Sequence, residues 1–279
     1  MRGAAFVILG EMLLSVMGAI IKHLSPELPN ALLVFCRNGL GLMILLPIVL
    51  TQAGGLRALK TPNLRFHLMR GLIGVSAMYC FFFSLGKLAL TEAVLLKLTA
   101  PFFIPLVATF WLRERSSPVT WLAIAIGFCG VLVILDPGRS GFSDWLYVGA
   151  GLAGALLGGT AKVTIRRMGV NEPSARIVLY FGVIATLASA PAAAAQWQMP
   201  TAIQWGLLLA LAACATIAQL CITTAYRIAP AGKVGQFTYS SVAFAAILGW
   251  WFWGETVTLN QAVGCALIVG AGLLNMRSR

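Results

Sequence analysis

The chain has 279 residues, 59% of them hydrophobic and 10% charged, with a mean hydropathy of +0.90. A soluble domain carries about 25% charged residues, so this composition excludes an ordinary soluble protein and turns its apolar surface toward lipid. Twenty Lys and Arg against eight Asp and Glu give a formal net charge of +12, and the placement of those charges matters more than their sum.

In chain order, apolar stretches fall near residues 3–21, 31–50, 67–86, 91–111, 119–135, 145–165, 177–195, 204–225, 233–253 and 259–276. Most approach the roughly 20 residues that a helix needs to cross about 30 Å of hydrocarbon. Strands of an outer-membrane barrel would be about ten residues long and alternate polar with apolar. The expected fold is therefore an all-α integral membrane protein with ten transmembrane helices. The joins at Leu85 to Thr91 and Ala225 to Val234 carry the least punctuation. Glu11 inside the first run and the lack of a small-residue cleavage site predict an uncleaved first span rather than a secretory signal.

With the N-terminus in the cytoplasm, the cytoplasmic ends and loops hold Arg2, Arg57, Lys60, Arg65, Arg70, Arg113, Arg115, Arg166, Arg167, Arg176, Arg227, Arg277 and Arg279. The other side holds Lys22, Lys87 and Arg139. This positive-inside bias predicts that both termini are cytoplasmic in a multi-pass protein of a bacterial-type inner membrane. The basic loops are thereby explained as topology determinants, with no nucleic-acid partner. Arg37, Lys97, Lys162 and Lys233 remain within spans or at their edges.

Other chemistries find little support. Cys36, Cys80, Cys129, Cys214, Cys221 and Cys265 lie in apolar runs without Cys-x-x-Cys spacing, so neither a disulfide framework nor a metal site is expected. His23 and His67 have no ligand or triad partner at useful spacing. No Gly-x-x-x-x-Gly-Lys-Ser/Thr loop, Gly-x-Ser-x-Gly or His-Glu-x-x-His occurs, which argues against ATP-driven transport and against an intramembrane hydrolase. No enzymatic activity and no cofactor are expected.

The chain also repeats itself. Pro29 and Pro47 bracket the second span and Pro173 and Pro191 the seventh, with a common offset of 144 (173 minus 29). Trp111-Leu112-Arg113-Glu114-Arg115 at the end of the fourth span matches Trp253-Gly254-Glu255-Thr256 at the end of the ninth. Five spans per unit is odd, so the second unit is inverted across the membrane. Two inverted units around one midplane site are the sequence signature of a secondary transporter working by alternating access.

These residues carry a family resemblance. Leu88-Ala-Leu-Thr-Glu-Ala-Val, Leu98-Thr-Ala-Pro101-Phe-Phe-Ile-Pro105 and Arg113-Glu114-Arg115 are echoed by Ile228-Ala-Pro-Ala-Gly-Lys-Val and Trp253-Gly-Glu255-Thr-Val-Thr with Gln261 and Gly264. The pattern resembles the EamA repeat, and the whole chain is similar to ten-helix members of the drug/metabolite transporter superfamily, among them the YddG-like amino-acid exporters. The resemblance implies two five-helix repeats, residues 1–138 and 139–279, with four helices of each around a central cavity and the fifth and tenth at the periphery. It implies export of small metabolites, amino acids including aromatic ones. A broad drug or cation exporter is the alternative if Glu11 acts alone, ahead of a membrane-embedded enzyme or a non-transporting receptor. The expected partners are a small-molecule substrate and membrane lipid, with a monomer sufficient for transport.

Ionisable residues within spans cost about 2.5–3.5 kcal/mol each on insertion scales and so mark candidate sites. Glu11, Ser15, Gly18 and Lys22 form one helical stripe that should face protein or a cavity. Depth counting at about 1.5 Å per residue brings Glu11, Arg37, Tyr79 and Lys97 into a slab about 10 Å thick around the midplane. Arg37 or Lys97 is expected to hold a substrate carboxylate, Glu11 to attract an amino group or carry a proton, and Tyr79 with Phe83 to offer aromatic surface. A static ion pair of Glu11 with Arg37 or Lys97 is the alternative. Gln219 on the eighth span and Gln236 and Tyr239 on the ninth complete the candidate substrate-binding set. Pro101 and Pro105 suit a kinked gating helix. Glu114 and Glu255, at helix ends, are expected to cap or pair with loops, and Trp250, Trp251 and Trp253 to anchor at the interface.

Overall fold

The fold is seen in a computed structural model that describes residues 2–51, 60–111, 118–135, 142–168, 172–228, 237–238 and 240–277. Its helices are α1 (Arg2–Leu24), α2 (Asn30–Thr51), α3 (Leu64–Leu85), α4 (Leu90–Lys97), α5 (Ala100–Trp111), α6 (Pro118–Leu135), α7 (Phe142–Met168), α8 (Ser174–Ala195), α9 (Ala202–Ile228), α10 (Ser240–Trp253) and α11 (Leu259–Arg277). No strand occurs among the described residues. Six of these helices are long and apolar enough to cross a membrane, and shorter apolar stretches lie at Trp121–Gly130, Ser240–Trp253 and Leu259–Ala271. With α4 and α5 together forming one span, the chain makes ten.

The fourth span departs from the uninterrupted run expected over 91–111. It breaks at Leu98 and Thr99 into α4 and α5. Pro101 has no N–H to give to the carbonyl four residues back, so the helix cannot pass through it unbroken. The backbone tightens instead, Thr99 N–H bonding to Leu96 O at 3.0 Å and the Thr99 hydroxyl to the same carbonyl at 2.6 Å. The break falls directly after Lys97, the last residue of α4.

Packing follows the repeat. α1 lies along α9 and α3 along α7, α2 lies on α8, and α6 lies on α11. Exchanging the two halves maps the α1–α9 contact (first and eighth spans) onto α7–α3 (sixth and third), and maps each of the other two onto itself. Gly10 and Gly154, separated by the same offset of 144 (154 minus 10), sit at equivalent crossings. A Cβ on Gly10 would lie 2.6 Å from Ile222, and one on Gly154 would lie 3.2 Å from the Ala77 carbonyl. Each half is thus held mainly by the other, as two interlocked inverted units require. α6 and α11 form a pair of their own, packed so closely that a Cβ on Gly130 would lie 2.8 Å from the Gly264 carbonyl.

Candidate functional site

The centre of the bundle carries charge. Lys97 Nζ, at the end of α4, lies 3.6 Å from Glu11 Oε2 of α1. The Glu11 side chain is 5% exposed and the Lys97 side chain 32% exposed, and Glu11 Oε2 has no hydrogen-bond donor. Ser15 donates to the Glu11 carbonyl at 2.9 Å and lies 3.4 Å from the Ser241 carbonyl, bringing α10 against this level of α1. Lys97 also approaches the Phe81 ring, 6.0 Å from its centroid. Lys162 of α7 is exposed and lies in the electrostatic field of Glu11 and Lys97. Glu11 thus meets Lys97 in contact and Lys162 only at longer range, a local excess of positive charge that a carboxylate can offset.

Arg37 does not join this group. It donates to Asn38 Oδ1 at 2.7 Å and leans over the Phe181 ring of α8, 5.7 Å from its centroid. The expected slab therefore separates into a Glu11–Lys97–Lys162 centre and an Arg37 centre. Tyr79 is held by its backbone, Asn30 Nδ2 donating to the Tyr79 carbonyl at 2.9 Å, and its hydroxyl is buried without a partner. Phe83 packs against Tyr147 with the rings tilted by 31° and centroids 4.7 Å apart, and is 38% exposed. Gln219 is half-buried on α9. Its neighbour Thr216 is satisfied by the Ala212 carbonyl at 2.8 Å, beside Gly41 of α2. Gln236, Tyr239, Glu114 and Lys233 lie outside the described residues, as do the side chains of Pro101 and Pro105.

The end of the bundle away from the termini is tied by Glu255. Gly254, at φ +65°, lets the chain turn back after α10. Glu255 then pairs with Lys22 at 2.5 Å and accepts the Leu90 N–H at 3.1 and 3.2 Å, capping the first turn of α4. Lys22 also donates to the Leu88 carbonyl at 2.9 Å and lies over Trp253. The expected capping and pairing role of Glu255 is what the structure shows, and Lys22 completes the buried stripe of α1. Gln261 donates to Glu92 at 2.9 Å nearby, joining α11 to α4. Trp250 and Trp251 are exposed at this end, as interfacial anchors should be.

The opposite end is tied by Glu172, just before α8. Thr61 and Asn63 donate to Glu172 Oε1 at 2.5 and 3.1 Å, and Arg176 donates to Oε2 at 3.0 Å. His67 Nε2 lies 3.4 Å from Oε2, its ring stacked on Tyr180. His67, for which sequence spacing offers no partner, thus finds one across the repeat. Burial pushes the Glu172 carboxyl up, but the three hydrogen bonds and the Arg176 charge outweigh it and hold it below the ordinary value of 4.5. A depressed acid stabilises the fold fully above that ordinary value, and the contribution fades as pH falls through the lower folded value. Purified protein should therefore lose thermal stability below about pH 4.5, and Glu172→Gln should lower the melting temperature at pH 7 by the equivalent of about 1–3 kcal/mol while flattening the acid limb. An unchanged acid limb in Glu172→Gln would show that this network does not contribute.

Comparison with known proteins agrees with the repeat. The model of the EamA-like transporter family matches residues 1–136 and again 145–277. The pseudopaline exporter CntI of Pseudomonas aeruginosa is 30% identical over 279 residues, covering 99% of this chain and 96% of that protein. A riboflavin transporter of Rhizobium johnstonii is 28% identical, covering 99% and 91%, and an S-adenosylmethionine uptake transporter of Rickettsia bellii is 25% identical, covering 90% and 85%. A solved structure aligns over 98% of this chain and 95% of its own at a TM-score of 0.70 and 22% identity, a likeness of fold alone. Matched along nearly its whole length, and twice over, the chain belongs to the EamA-like transporter family of the drug/metabolite superfamily, a multi-pass membrane transporter of small metabolites.

Proposed function

We propose that the protein is a secondary transporter that exports small amphoteric metabolites, amino acids including aromatic ones, across a bacterial inner membrane by alternating access. Both termini face the cytoplasm, residues 1–138 and 139–279 form the two repeats, and a monomer suffices. The Glu11–Lys97 pair carries the reading. At 3.6 Å, with a carboxylate oxygen that accepts no hydrogen bond, it leaves hydrogen-bonding capacity that a ligand can use. An incoming ammonium group can take Glu11 while the carboxylate takes Lys97 and Lys162, so the substrate satisfies charges that the side chains only partly pair among themselves. Tyr79, with its unused hydroxyl, and Phe83 supply aromatic and polar surface for a side chain, and Gln219, Gln236 and Tyr239 supply further polar contacts from the second repeat. The break beside Pro101, together with Pro105, gives α4 and α5 a place to bend, and the ties at Glu255 and Glu172, both closed in this structure, open in turn.

Proteoliposomes loaded with a panel of labelled amino acids, with and without a proton gradient, test this directly. Saturable flux of at least one amino acid is expected. Flux of cationic drugs with none of any amino acid would replace it with the drug-exporter reading, in which Glu11 acts without Lys97.

A further inference from the structure

Arg70 stands in the sequence among the end and loop cations that orient the chain, but its side chain turns inward from α3. Its Cζ lies 4.2 Å from the centroid of the Phe181 ring, the same ring that Arg37 approaches from α2. Arg37 is 8% exposed. Arg37 Nε and Arg70 Nε and Nη1 are buried and make no hydrogen bond. Among the described residues neither arginine has a carboxylate partner, and Glu172, the acid at this end, is already taken by Thr61, Asn63, His67 and Arg176. A Cβ on Gly74 would meet Phe181 at 2.7 Å and Arg70 Nη1 at 2.8 Å, so a glycine there makes room for the pair.

Two guanidinium groups in each other's field, inside a bundle and without a counter-ion, are costly unless an anion visits. Their free donors are fork-shaped and match a planar carboxylate, and Phe181 limits how the forks can turn. We propose that Arg37, Arg70 and Phe181, at the junction of α2, α3 and α8, form a second anion subsite that receives a carboxylate of the transported molecule. The proposal rests on the transport reading for its ligand, and it extends that reading to amino acids carrying an additional carboxylate. The Glu11–Lys97–Lys162 centre handles the amino-acid head, and the two arginines handle the acidic tail.

Counterflow of glutamate against glutamine in proteoliposomes reads the subsite, because the two differ only in the second carboxylate. Wild type should prefer glutamate at least ten-fold in kcat/KM, and Arg70→Gln should collapse that ratio toward one while Arg70→Lys restores part of it. An unchanged ratio in Arg70→Gln, or a wild-type preference for glutamine, would overturn the proposal. Binding is read separately by thermal stabilisation of the purified protein with millimolar glutarate. The shift should survive in Gly149→Ala, an exposed position of α7 where a Cβ would meet nothing within 4 Å, and vanish in Arg70→Gln, whereas equal shifts in wild type and Arg70→Gln would overturn the subsite. Absence of all amino-acid flux with the glutarate result intact would sink the transport reading and leave the subsite standing.

Discussion

Glu11→Gln should lower flux per molecule at least ten-fold, with close to wild-type abundance in the membrane. The substitution keeps the shape of the side chain and removes its charge, leaving Lys97 without its carboxylate partner and Lys162 without the opposite charge it feels. A tenfold loss corresponds to about 1.4 kcal/mol of differential binding, well below the cost of one ionised group at depth. The 3.6 Å separation argues that fold stability draws little from the pair itself. A static neutralising pair predicts the reverse: preserved flux per molecule with reduced abundance. Quantitative immunoblotting alongside initial rates in proteoliposomes separates the two outcomes.

Gly127→Leu should prevent stable assembly of the first repeat. The site of its Cβ overlaps the Phe102 ring, and Phe102 is 0% exposed, so the ring has nowhere to go. Replacing glycine within a helix gains about 1 kcal/mol in propensity, but forcing a side chain into a filled core costs about 1–3 kcal/mol even where neighbours can shift, so overpacking wins. Gly149→Ala on α7 is the control. Its Cβ would meet nothing within 4 Å, so the propensity gain stands alone and the melting temperature should hold or rise. The check is the monodisperse fraction after detergent extraction: a Gly127→Leu protein as well behaved as Gly149→Ala would mean that α5 and α6 do not pack as described.

Much of this architecture is legible in the chain because hydropathy, proline placement and charge bias act along the sequence. Pro29, Pro47, Pro173 and Pro191 report the repeat, and Glu11 and Lys97 stand out as charges at depth. The angular position of a side chain about a helix full of apolar residues is not legible in the same way. Tyr79, Cys80, Phe81, Phe82 and Phe83 cover nearly every direction, so nothing in their order tells that Phe83 meets Tyr147 while Lys97 approaches Phe81. Arg37 and Lys97 count to the same depth but face different neighbours. Arg70 reads as a loop cation because it lies near a span end, and Lys162 reads only as a cation near the edge of a span. Partners across the repeat, such as His67 with Glu172, are set by the interlocking of the halves and leave no spacing to detect.

The most direct test of the amphoteric site compares one transported amino acid with its methyl ester and its N-acetyl derivative as competitors in wild-type proteoliposomes. If Glu11 takes the ammonium group while Lys97 and Lys162 take the carboxylate, each modified compound should inhibit at least ten-fold more weakly than the parent. Inhibition by the ester as strong as by the parent, with only the N-acetyl compound failing, would contradict carboxylate recognition by the lysines and leave Glu11 as the centre of a cation site.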